Sequence, residues 1–152
     1  MDVRTETFRS FLVRAKQQTY AGDGPKAEPS RPQSVDLHYV EGDLLYIDTY
    51  LGSLDFIGEE AVWAGGQPVW GMNYFGRMLT DRVPDGFSQC LKGALQAVPP
   101  EAPYRGPAQY NLGDLEYRCS WEGDLADFRG VEDISQSGRV IYRLRFHGGL
   151  IR

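Results

Sequence analysis

Two blocks of alternating apolar and polar residues, each cut into short runs by glycine-bearing turns, constrain this chain more than any other feature. From Val35 the hydrophobic period is two, and the runs read as strands at about 35–41, 44–51, 54–64 and 68–76. The joints Glu41-Gly42-Asp43, Gly52-Ser53 and Gly65-Gly66 are short enough only for tight hairpins, so the four runs form an antiparallel meander. A second block follows at about 114–122, 126–135 and 139–147, turned by Gly123-Asp124 and Ser137-Gly138. Its last run puts Val140, Tyr142, Leu144 and Phe146 on one face and Ile141, Arg143, Arg145 and His147 on the other. Its first run opposes Leu115, Tyr117, Cys119 and Trp121 to Glu116, Arg118, Ser120 and Glu122. Such strands have one packed face and one wet face.

A helical pattern precedes each block. Phe8, Phe11, Leu12 and Ala15 recur at i, i+3, i+4 and i+7, while Arg9, Arg14, Lys16 and Gln17 read as water-facing. The stretch Gly22–Ser34, with three prolines, stops this helix and reads as a long loop. A second helix is expected over about 85–98, opened by Pro84-Asp85 and closed by Pro99-Pro100, with Phe87, Cys90, Leu91, Ala94, Leu95 and Val98 buried. The Pro-rich span that follows, to Gly113, carries Tyr104, Arg105 and Tyr110. The order α-ββββ-α-βββ contains no βαβ crossover. The expected fold is therefore α+β: one curved antiparallel sheet of six or seven strands with two helices packed on one face, a single domain over residues 1–152. No internal repeat and no low-complexity tract is read.

At 152 residues the chain can bury a core without staples, and 41% hydrophobic with 24% charged residues is ordinary for a globular protein. Sixteen Lys and Arg against 21 Asp and Glu give a net charge of −5, which argues against nucleic acid as a partner, because phosphate backbones are bound by basic surfaces. Cys90 and Cys119 have neither disulfide-framework nor zinc spacing and read as buried reduced thiols. His38 and His147 are far apart, so no metal is expected, and no phosphate loop or nucleophile elbow suggests a cofactor. The N-terminus has no signal-peptide core, and no run approaches the roughly 18 apolar residues that span a bilayer. The expected setting is cytoplasmic, away from membranes.

The stretch from Tyr46 to Tyr74 concentrates the polar chemistry. In the run 44–51, Asp48 shares a face with Tyr46 and Tyr50, and a carboxylate between aromatics is partly desolvated, which raises its pKa and suits it to acid–base work. Glu59 and Glu60 are adjacent and must point to opposite faces unless Gly58 marks a bulge. Both faces of that run look covered, so one glutamate is expected to be buried beside a cation, for which Arg77, Arg105 or Arg118 are available. Trp63, Trp70, Asn73 and Tyr74 follow within one hairpin, and such aromatics beside carboxylates suit a planar, sugar-like or cationic ligand.

The strings RAKQQTYAGDG, SVDLHYVEGDLLYIDTYLG, EEAVWAGGQPVWGMNYFGRML, PYRGP and FHGG resemble a family of small bacterial proteins known only as a domain of unknown function. Some relatives are appended to helix-turn-helix regulators of the XRE type. The resemblance runs from the first helix to Gly149 and implies no catalytic residues. The first helix stands alone before a Pro-rich loop, so no helix-turn-helix unit is expected.

Three readings follow. The first is a module binding a small polar or cationic ligand, lined by Tyr46, Asp48, Tyr50, Glu59, Trp63, Trp70, Asn73 and Tyr74, with Arg105 as a movable lid group. The second is a metal-independent, hydrolase-like enzyme using Asp48 with Glu59 or Glu60 as paired carboxylates. The third is a homodimerising protein-interaction domain.

Overall fold

Thr5 opens the first helix: its hydroxyl accepts from the Phe8 amide at 3.2 Å, and Glu6 in the first turn suits the helix dipole. In the computed structural model, which describes residues Met1–Arg152, this helix (α1) spans Glu6–Gln18. Strands follow at Lys26–Ala27 (β1), Val35–Glu41 (β2), Leu44–Gly52 (β3), Asp55–Ala64 (β4) and Gln67–Met78 (β5). A second helix, Phe87–Gln96 (α2), leads to Gln109–Leu112 (β6), Leu115–Asp124 (β7), Asp127–Gln136 (β8) and Arg139–Leu150 (β9). No helix is long and apolar enough to cross a membrane.

All strands join one open antiparallel sheet in the order β1-β2-β3-β4-β5-β9-β8-β7-β6. The α+β class and both meanders are as the sequence implies, but there are nine strands rather than six or seven. The two additions, β1 and β6, lie in the Pro-rich stretches that read as loops, and each forms a short edge of the sheet, where proline is tolerated.

The two blocks are copies of one unit, contrary to the absence of a repeat expected from sequence. In the first, Tyr46, Asp48, Tyr50 and Gly52 pair with Val62, Glu60, Gly58 and Phe56. In the second, Tyr117, Cys119, Trp121 and Gly123 pair with Ile134, Glu132, Gly130 and Phe128. The next ladders agree: Val62, Glu60 and Gly58 meet Trp70, Met72 and Tyr74, as Ile134, Glu132 and Gly130 meet Tyr142, Leu144 and Phe146. Each unit has one register shift, between Val62 and Trp63 and between Ile134 and Ser135. At the centre Tyr74 pairs with Phe146, its own counterpart, as a pseudo-twofold axis through the β5–β9 ladder requires. The helices obey the same relation. Phe8, Phe11, Leu12 and Ala15 correspond to Phe87, Cys90, Leu91 and Ala94, with Phe8 edge-on to Trp70 at 6.3 Å and Phe87 edge-on to Tyr142 at 5.2 Å.

Both helices cover the face that carries these inward side chains, and residues from helices and strands form one buried core. The opposite face is open: Ile57 and Phe75, cross-strand partners there, are 55% and 44% exposed, so β4 is not covered on both sides as its composition suggested. Glycines on the inner face admit large rings. A Cβ on Gly58 would lie 2.4 Å from the Tyr74 ring and hydroxyl, so only glycine lets that ring lie across β4 towards β3.

Candidate functional site

Strand alternation carries Asp48 on β3, Glu60 on β4 and Glu132 on β8 into the interior. Two cations meet them. Lys16, from the last turn of α1, contacts Glu60 Oε2 and donates to the Tyr104 carbonyl at 2.8 Å. Arg105, from the loop after α2, forks onto Glu132 with Nε and Nη2 at 3.0 and 2.8 Å. Tyr117 and Tyr142 also donate to Glu132, at 2.6 and 2.9 Å. Burial, helped by that carboxylate, drives both phenols well above their usual pKa, which keeps them as donors.

Asp48 is different. It is 4% exposed, and Oδ1 accepts from the Tyr74 hydroxyl at 2.6 Å. Oδ2 has no partner in the chain and is not sealed off. It has no ion-pair partner. Burial and then the charge of Glu60 push its pKa up to about 7, while the Tyr74 hydrogen bond, Arg105 and Lys16 pull it back. Burial likewise lowers the pKa of Lys16, against the charge of Glu60.

Asp48 opens on a cavity of about 250 Å³. Tyr50, Phe56 and Tyr74 wall it from the sheet, Tyr20 from the end of α1, Leu91 from α2 and Arg105 from the loop, with Gly52 and Ser53 of the β3–β4 turn. Tyr20 stands edge-on to Tyr50 at 6.1 Å, and the Arg105 guanidinium lies 5.4 Å over the Tyr74 ring. A neighbouring gap of about 20 Å³ touches Asp48 and Arg105 as well as Lys16, Tyr46 and Glu60.

The second unit shows what this place becomes without a cavity. Asp48 corresponds to Cys119 and Tyr74 to Phe146, so acceptor and donor are replaced together by apolar groups. Tyr104, packed 6.2 Å from Trp121 as Tyr20 is from Tyr50, goes further and stacks on Phe128 at 4.3 Å. Lys16 has Leu95 as its counterpart on α2, both buried, and Arg105 follows Tyr104 where Ala21 follows Tyr20. The fold therefore does not require the opening or its charges.

Of the residues singled out from sequence, Asp48, Tyr50, Tyr74 and Arg105 line the cavity, and Tyr46 and Glu60 lie beside it. There is no bulge at Gly58, so Glu59 points outward and is exposed, as is Asn73, its cross-strand partner. Trp63 is half-buried at the register shift of β4, outside the cavity. Trp70 is in the core, stacked on Phe128 and donating to the Leu125 carbonyl at 3.0 Å. The cation on Glu60 is Lys16, not an arginine, and Lys16 is buried rather than water-facing. Its place at i+8 from Phe8, on the apolar stripe, is the signal that could have shown this. Glu132, Tyr117 and Tyr142 were missed as a cluster, although Glu132 shares the inward phase of Phe128 and Ile134. Both cysteines are buried and free, as expected.

The family model for a domain of unknown function, DUF5680, matches residues 48–151, well over half of the chain. The chain belongs to this family. The matched span holds Asp48, Glu60, Tyr74, Arg105 and Glu132, whereas Lys16 and Tyr20 precede it. No curated protein and no solved structure matches the chain.

Proposed function

We propose that this DUF5680 domain binds a small organic cation, with Asp48 as counter-ion and Tyr20, Tyr50, Phe56 and Tyr74 as walls. One observation carries the reading: a carboxylate buried to 4% exposure forms no ion pair within the chain, accepts only from Tyr74, and lines a cavity. Buried charges are normally paired, and an aromatic enclosure favours a cationic partner. A volume of about 250 Å³ lies just under the ~300–1,000 Å³ usual for pockets of drug-sized ligands, which points to a metabolite-sized molecule. The resemblance to domains appended to XRE-type regulators is in keeping with a module that reports such a molecule.

The paired-carboxylate enzyme has less support. Glu60 faces Asp48 across the ladder but is engaged by Lys16 and is absent from the walls of the larger cavity, and Glu59 is on the other face. The test is a thermal-shift screen of small amines and quaternary ammonium compounds against the wild type and Asp48→Asn. Cations are expected to raise the wild-type melting temperature and leave Asp48→Asn unmoved. If no cation stabilises the wild type, the reading is lost.

A further inference from the structure

The cavity wall holds a second group with spare bonding capacity. Nε and Nη2 of Arg105 are committed to Glu132, but Nη1 donates to nothing in the chain and is not sealed off. Arg105 is 7% exposed and borders both the cavity and the gap next to it. Nη1 is therefore an accessible donor free to take an acceptor that a ligand brings. The pseudo-twofold relation makes this specific: the closed place related to this cavity by that axis has Cys119 of the second unit for Asp48 and Ala21 of the first for Arg105.

The charge balance decides what kind of acceptor fits. With Asp48 ionised, the buried charges around the cavity are three carboxylates (Asp48, Glu60 and Glu132) and two cations (Lys16 and Arg105), one negative charge in excess. A ligand of net charge +1 neutralises that excess. A zwitterion leaves it, and sets its carboxylate on an arginine whose charge Glu132 already balances. Building on the cation-binding reading above, we propose that the ligand is a primary amine carrying an uncharged hydrogen-bond acceptor, as in an amino-acid amide or an amino alcohol. Its ammonium group sits on Asp48 Oδ2, its carbonyl or hydroxyl oxygen accepts from Arg105 Nη1, and its remainder lies among Tyr20, Tyr50 and Phe56.

Calorimetric titration of the full chain at pH 7, where an α-ammonium group (pKa about 7.7–8.0) keeps its proton, tests this. The ligands are glycinamide, leucinamide and phenylalaninamide, each beside its parent amino acid and the corresponding simple amine (methylamine, 3-methylbutylamine, phenethylamine). In at least one series the amide is expected to bind about tenfold or more tightly than the simple amine, as a hydrogen bond to a charged donor gives, and the amino acid more weakly than the amide. Arg105→Lys keeps a cation for Glu132 but removes Nη1, and should erase the advantage of the amide over the simple amine. If that variant does not fold, the comparison among ligands on the wild type still decides. Equal binding of amide and simple amine overturns the acceptor at Arg105 and leaves the cation reading standing. Tightest binding by the amino acid overturns the charge argument. Failure of every amine and amide removes the cation reading itself.

Discussion

Asp48 and Glu60 stand directly opposite one another on β3 and β4, yet only Glu60 has a cation, Lys16. Two carboxylates side by side in the interior cannot both be ionised cheaply, and the one without a partner holds its proton to a higher pH. Burial first, and then the charge of Glu60, push the pKa of Asp48 up to about 7. A binding anion kept ready for an external cation is thus a standing cost to the folded state.

The sign of that cost can be measured. An unfolded Asp titrates near 3.9, whereas Asp48 in the folded chain titrates at about 7. Between these values the native state binds the extra proton, so Asp48 removes stability as pH rises from about 4 to about 7, after which the loss is constant. The full effect is on the order of 4 kcal/mol. Asp48→Asn keeps an acceptor for the Tyr74 hydroxyl and abolishes the titration. In urea unfolding it should match the wild type near pH 4 and exceed it by about that full amount at pH 8, with cation binding gone. A variant less stable than the wild type at pH 8 would contradict the unpaired state of Asp48.

Lys16 and Glu60 make the opposite prediction. Lys16→Met strands the carboxylate of Glu60 in the interior and should cost about 3–5 kcal/mol. Adding Glu60→Gln removes that charge and should restore most of the loss, which a double-mutant cycle registers as a coupling of about 2–3 kcal/mol. Additive effects of the two substitutions would show that the contact is incidental.

Strand positions, turns and the two helical stripes were legible because each depends on local periodicity and turn chemistry. The face of Asp48 followed from alternation alone. The repeat was not legible, because corresponding residues share inward size rather than identity: Trp70 answers to Tyr142, Met72 to Leu144, and Val62 to Ile134. One extra residue between Gly123 and Phe128, relative to Gly52 and Phe56, further breaks the spacing. Pairing among Lys16, Glu60, Arg105 and Glu132 joins residues from 27 to 44 positions apart, and no local rule assigns such partners. Gly58 read as a candidate bulge because glycine in a strand usually signals one; here it is the space that Tyr74 occupies.

Gly58→Ala tests that space. The added methyl meets Tyr74 Cζ and Oη at 2.4 Å and the Thr49 carbonyl at 2.7 Å, so the ring must leave its place and its bond to Asp48. A loss of about 1–3 kcal/mol is expected from overpacking. Asp48 then loses a hydrogen bond that favours its ionised form, so its pKa should rise above that in the wild type, which carboxyl-resolved NMR titration would detect. An unchanged Asp48 titration in a folded Gly58→Ala would show that Tyr74 does not depend on the glycine.

The closing of the second unit rests on one ring and can be undone. Tyr104 is buried and stacked on Phe128, whereas its counterpart Tyr20 is only partly buried and borders the cavity. Removing a packed ring leaves a void with its lining atoms unpartnered, at about 3–5 kcal/mol; removing one that borders open space creates little new void. Tyr104→Ala should therefore cost about 3–5 kcal/mol, and Tyr20→Ala about 1–2 kcal/mol, in parallel denaturant unfolding. The two variants should also separate in ligand response. Tyr20→Ala takes a wall from the cavity and weakens cation binding, while Tyr104→Ala, once folded, opens a space related to it by the pseudo-twofold axis, with Cys119 in place of Asp48. A second binding site for amines in Tyr104→Ala would mean that aromatic walls alone suffice, and that Asp48 is not what selects the ligand.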